Sequence, residues 1–260
     1  MTGISKRRGL VVQPRDRRLF EELPVMRVID REQAKIVAGF GSTTRANARL
    51  LALTRAGLLR RFFLGSRKSL YALSEKGARL VGVPVWGPRR RQDEVLVANF
   101  FVEHQLAVND MYCELKYGAT QAMEVSFRRW RCFKKPITGD CHLIPDGYAE
   151  LTTPAGIVAA FLEVDLGNER GSEWKEKSNQ YLRLALSGEF ERQFGLKQFR
   201  VLVLANSERR VHSLRKIIAA VTPKIFWFAT LGAVTSQGVL APVWYRPTGE
   251  TATAFIEERP

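Results

Sequence analysis

Glu163 and Asp165 stand two residues apart in Ile157–Leu166, IVAAFLEVDL, a run otherwise apolar on both faces. Such a run reads as a strand buried in the middle of a sheet, and the two-residue period of a strand puts both carboxylates on one face. Asp146, in the preceding segment CHLIPDGYAEL, belongs to the other arm of the same hairpin and can approach that face. Three carboxylates gathered at a central strand repel one another and are costly to bury unpaired. A shared divalent cation, Mg²⁺ or Mn²⁺, is one solution; it would activate water and stabilise phosphorane charge. Pairing with Lys or Arg from the next helix is the other, and would make the acids structural.

The elements that must position these acids follow from periodicity. A helix is predicted over Asp93–Tyr117, with Phe101, Val108 and Leu115 recurring at seven. Strands follow at Met123–Arg128, Cys141–Leu151 and Ile157–Leu166, the last two joined by the turn TTPAG. Ser172 is placed to cap a helix through about Leu186; strand Gln198–Ala205, helix Ser207–Ala220 and strand Ile225–Thr230 complete the order. The pattern is an α/β domain whose mixed sheet starts as an antiparallel meander and continues through crossovers.

The charge belongs to the other end of the chain. The 260 residues carry 41 Lys+Arg and 26 Asp+Glu, net +15; residues 1–92 hold 21 cations and 6 acids, and the remainder 20 of each. A basic third joined to a neutral remainder reads as a polyanion-binding module attached to a second domain. Arg outnumbers Lys 29 to 12, which suits phosphate forks or reflects codon bias.

The basic third is patterned as a winged helix-turn-helix. Helices are expected at Pro14–Leu23, at Arg31–Ala38 behind an Asp30 cap, and from Ser42 to about Thr54, the last two separated by Gly39-Phe40-Gly41. The third helix is the recognition candidate, with Thr43, Thr44, Arg45, Asn47 and Arg49 in its first two turns. A hairpin follows, its strands carrying Arg60 and Arg61 and its tip Arg67 and Lys68, as a wing that touches phosphate would. The competing use of such a fold is protein contact alone. The expected domains are 1–82 (winged helix), 83–92 (a Pro/Gly linker with Arg89–Arg91), 93–235 (α/β) and 236–260 (a strand and frayed tail).

The PD-x16-E-x-D spacing, the helix with Lys177 and Tyr181 behind it, the EHQLAVND segment and the basic front together resemble the replication-relaxation family of bacterial plasmids and mobile elements. The second domain resembles the PD-(D/E)xK nucleases, which include restriction endonucleases and are similar to one class of conjugative relaxase. That resemblance implies Asp146 and Glu163 as metal ligands. The lysine expected two residues after the Glu is Asp165 here, so Lys177 or Lys175 would take its part, and Tyr181 is a candidate nucleophile. The resulting expectation is a bacterial cytoplasmic protein that binds double-stranded DNA and acts as a Mg²⁺- or Mn²⁺-dependent nickase or relaxase. The alternative is an inactive regulator or initiator whose nuclease-like domain assembles with a second copy or with other replication or mobilisation proteins.

Composition closes other classes. No run nears ~18 apolar residues, so neither a membrane span nor a secretory leader is expected. Cys113, Cys132 and Cys141 form no C-x-x-C pair, which suits reduced thiols. No Gly-rich phosphate loop or dinucleotide fingerprint occurs.

Overall fold

Local capping signals set the first helices of the computed structural model, which describes residues 10–65, 68–85, 95–96, 100–118, 124–139 and 142–256. Helix α1 (Pro14–Met26) opens on a proline, whose fixed φ suits the first helical position. It runs past the expected end at Leu23, because Met26 continues its buried stripe of Leu19, Phe20 and Leu23. After β1 (Ile29–Asp30), helix α2 (Arg31–Ala38) is held by a capping box: Asp30 Oδ1 accepts from Gln33 N at 2.9 Å and Gln33 Oε1 accepts from Asp30 N at 3.3 Å. Gly39 ends it at φ 64°, and Ser42 caps α3 (Thr43–Arg55).

Strands β2 (Leu59–Leu64) and β3 (Lys68–Leu73) form the expected antiparallel hairpin, and α4 (Glu75–Val81) follows. The Ser74 hydroxyl accepts from Gly77 N at 3.0 Å and donates to Leu58 O at 2.9 Å. A Cβ on Gly77 would meet that same carbonyl at 2.3 Å, so only glycine lets α4 lie this close to the hairpin. With β4 (Val95–Leu96) the strands make a sheet in the order β1-β3-β2-β4. Arg67, Trp86 and Arg89–Arg91 lie outside the described residues.

Helix α5 (Phe100–Cys113), extended by a π-helical turn at Glu114–Gly118, differs in allegiance from its prediction. The chain divides into two compact units at Asn109/Asp110, not at residue 92. Gln33 Nε2 donates to Leu106 O at 2.9 Å, and Asn109 Nδ2 donates to Met26 O at 3.0 Å and Val28 O at 2.6 Å. Val102 and Leu106 complete a core with Val28, Phe62 and Leu70. The part of this helix up to Asn109 thus belongs to the first unit, where it covers that apolar face and two backbone carbonyls.

The second unit is built on a five-stranded mixed sheet in the order β5-β6-β7-β8-β9. Strands β5 (Ser126–Arg131), β6 (Gly147–Thr153) and β7 (Gly156–Asp165) form the antiparallel meander; β7, β8 (Arg200–Ala205) and β9 (Phe226–Thr230) are parallel. The crossovers are α6 (Gly171–Leu186) with α7 (Glu189–Phe194), then α8 (Glu208–Ala219); α9 (Leu231–Gln237) follows β9. Helix α6 begins two residues earlier than expected, at the Arg170 cap. Tyr148, Phe161, Phe190, Phe199, Phe226 and Phe228 fill the space between sheet and helices. The tail is not frayed through Ile256: Trp244 is buried, pairs with Thr253 and packs edge-on against Phe255 at 5.6 Å. Among the described residues no helix is long and apolar enough to cross a membrane.

One buried ion pair joins α1 to α3. Asp16 is fully buried; Arg49 Nε donates to its Oδ1 at 3.0 Å and Arg49 Nη2 to its Oδ2. Arg49→Met leaves that carboxylate buried without its cation and should cost about 3–5 kcal/mol in urea denaturation. Adding Asp16→Asn should restore most of the loss.

Candidate functional site

The residues proposed for DNA sit in two environments within the first unit. Thr44, Arg45 and Asn47 are exposed on the first turns of α3, and Thr43 is half-buried beside Lys35. Asn47, Arg61 and Lys68 line one cleft of about 360 Å³ with Asp30 and Glu32. Lys68 Nζ is 2.7 Å from Asp30 Oδ2, and Arg60 and Arg61 lie over the rings of Phe62 and Phe63 at 4.9 Å each. The Arg49 guanidinium is turned to Asp16 and to Val11 O, where it holds α1. Position on a helix wheel marks the cation, but only the fold shows the buried acid it serves.

In the second unit, β7 carries Glu163 and Asp165 onto the face covered by α6, as their spacing requires, and both are almost completely buried. Glu163 Oε1 accepts from the Tyr181 hydroxyl at 2.6 Å and Oε2 from Lys177 Nζ at 3.0 Å. Lys177 Nζ also reaches both oxygens of Glu169, at 2.7 and 2.8 Å, and lies 4.7 Å from the Trp174 ring centre. Asp165 is held differently. Arg210, from the first turn of α8, forks onto it with Nε to Oδ1 at 3.0 Å and Nη2 to Oδ2 at 2.7 Å. Trp174 Nε1 and Gly167 N add two more donors. Asp146 closes the hairpin mouth: its Oδ2 accepts from Val164 N at 2.8 Å, and its own N donates to Leu162 O at 3.1 Å.

Glu163 and Asp165 are thus each paired with a side chain of a covering helix, while the charge of Asp146 is felt at Glu163. All four oxygens of Glu163 and Asp165 already accept from the protein, with a cation on each carboxylate. Among the described residues no group of three His, Cys, Asp or Glu side chains is placed to hold a metal ion. Tyr181 is fully buried, with its ring near Phe161, Phe199 and Phe226 and its hydroxyl on Glu163. Arg210, Trp174 and Glu169 are the partners that sequence reasoning missed; Arg210 stands 45 residues after Asp165, and only the β7–β8 crossover brings it back.

A sequence profile described as replication-relaxation matches residues 23–198, about two thirds of the chain. The chain belongs to the replication-relaxation family. The matched span runs from α1 to just before β8, so it holds Asp146, Glu163, Asp165 and Lys177 but not Arg210. No curated protein and no solved structure matches the chain.

Electrostatics in this family member follow from burial. Burial pushes the Glu163 carboxyl up to about 7 from 4.5, with Asp146 repelling its charge and Lys177 and Tyr181 opposing the rise. Burial pulls the Lys177 ammonium down, but the charges of Glu163 and Glu169 outweigh it and hold the amine above its ordinary value. Folded Glu163 binds its proton more tightly than unfolded Glu163. Its contribution to stability is therefore complete below pH 4.5 and is lost as pH rises to about 7. Unfolding free energy measured by urea should fall across that window by at most about 1.4 kcal/mol per pH unit. In Glu163→Gln that part of the slope should vanish.

Proposed function

We propose that this replication-relaxation protein docks on double-stranded DNA through a winged helix formed by α2, α3 and the β2–β3 hairpin. It acts in the replication or mobilisation of a plasmid or mobile element, in the bacterial cytoplasm, as an initiator or regulator that does not cut. The observation that carries the second half is the saturation of Glu163 and Asp165 by Lys177, Tyr181, Arg210 and Trp174. Acids that a restriction-endonuclease-like domain would devote to a cation here hold helices to a strand. The second unit then serves assembly, with a second copy of the chain or with other replication or mobilisation proteins.

DNA binding is supported by the +15 net charge, all of it contributed by residues 1–92, and by the exposed Thr44, Arg45 and Asn47 on α3. If ~6 cations meet phosphates, log K for a duplex should fall against log salt with a slope of about −5. Arg45→Ala should cost about 1–3 kcal/mol on the preferred sequence if it reads a base, and less elsewhere. Equal loss on all sequences would assign Arg45 to phosphate, and a salt-insensitive affinity would contradict the proposal.

A nickase is the second reading. It is favoured by Lys177, whose ammonium lies against Glu163 on the helix that follows the central strand and could stabilise developing phosphate charge. Incubating supercoiled plasmid with the protein and Mg²⁺, Mn²⁺ or EDTA separates the two. The initiator leaves the plasmid supercoiled in all three; open circles that require cation and disappear in Lys177→Met would replace it with the nickase.

A further inference from the structure

We propose that the outer edge of the second unit's sheet, β5 with the turn after it, is a second DNA surface that grips the phosphate backbone of a duplex. The choice of ligand rests on the DNA-binding reading above; the residues do not overlap with it. The second unit is neutral only in sum. Between Ser126 and Gly139 the sequence places Arg128, Arg129, Arg131, Lys134 and Lys135 and no acid. All five are exposed.

The strand is built to present them. The β5–β6 register shifts between Phe127 and Arg129, so two residues of β5 face one of β6 and the consecutive arginines reach the same acid. That acid is Glu150, 2% exposed, which Arg128 Nε approaches at 3.2 Å and Arg129 Nη2 also binds. The Tyr148 hydroxyl donates to Glu150 at 2.8 Å as well. One carboxylate between two guanidiniums anchors both and neutralises one. Their side chains stay 53% and 46% exposed, so the remaining N–H groups face outward from fixed positions. Groups fixed beforehand lose less entropy on binding.

The aromatic residues of the segment point to backbone contact and not to base stacking. Trp130 lies on Gly147, where a Cβ would meet its ring at 2.2 Å, and packs edge-on against Tyr112 at 5.1 Å. Phe127 also meets Tyr112, and Phe133 meets Phe161. A single strand needs open ring faces; here the rings pin the strand down and the cations stand above it. Edge strands also carry Lys and Arg simply to prevent strand pairing, and the test distinguishes that use.

The experiment is fluorescence anisotropy of a short labelled duplex of arbitrary sequence with the full chain, across a salt series. The variant is Arg131→Gln/Lys134→Gln/Lys135→Gln, which leaves the Glu150 clamp intact. The slope of log K against log salt should become shallower by about 2–3, one unit per lost phosphate contact. The single Lys135→Glu, at a wholly surface position, should weaken binding in the same direction should the triple variant fold poorly. Unchanged affinity and slope in the folded triple variant, or in Lys135→Glu where the triple variant aggregates, overturn the proposal. Arg45→Ala is measured in parallel. Loss there without loss at the edge overturns this surface alone; loss at the edge without loss there overturns the α3 assignment alone; no duplex binding by the wild type overturns both.

Discussion

Two carboxylates buried on one face of a central strand are the constraint around which the second unit is arranged. Glu163 and Asp165 sit where apolar contact would be cheaper, and an ionised group left there unpaired would be prohibitive. Neutralisation has to come from the elements laid over that face. Helix α6 supplies Lys177, Tyr181 and Trp174, and α8 supplies Arg210. The acids thereby fix the rotation of α6 about its axis and the height of α8 along the sheet. A hydrophobic layer such as Phe161, Phe199 and Phe226 tolerates sliding; a two-point guanidinium fork does not.

The same device recurs. Asp16 takes Arg49 to join α1 to α3, and Glu150 takes Arg128 and Arg129 at the sheet edge. In each case a buried acid of one element fixes a cation of another. Part of the arginine excess is therefore internal architecture. The net charge of residues 1–92 overstates the positive charge turned outward, since Arg49 is turned inward and Lys68 sits against Asp30. Conversely, the neutral sum of the second part conceals the concentration of cations along β5.

Much of the fold was legible because its signals are local. The Asp30 and Ser42 caps, the hairpin, and the strands around IVAAFLEVDL and VLVLA all lie where periodicity and capping place them. The one-face relation of Glu163 and Asp165 was legible for the same reason. What sequence could not show is long-range. The allegiance of α5 depends on Asn109 reaching carbonyls more than eighty residues back. That Asp165 meets an arginine depends on a residue of α8. The short α7 and α9 escaped because six or seven residues carry too little periodicity to register.

The central claim is that the β7 acids are committed to Lys177 and Arg210 and not to a metal ion. Titration of the full chain with Mn²⁺, following free ion by electron paramagnetic resonance, tests it most directly. The account predicts only weak, salt-sensitive binding that is the same in Glu163→Gln and Asp165→Asn. One saturable Mn²⁺ per chain that is lost in either variant would contradict it.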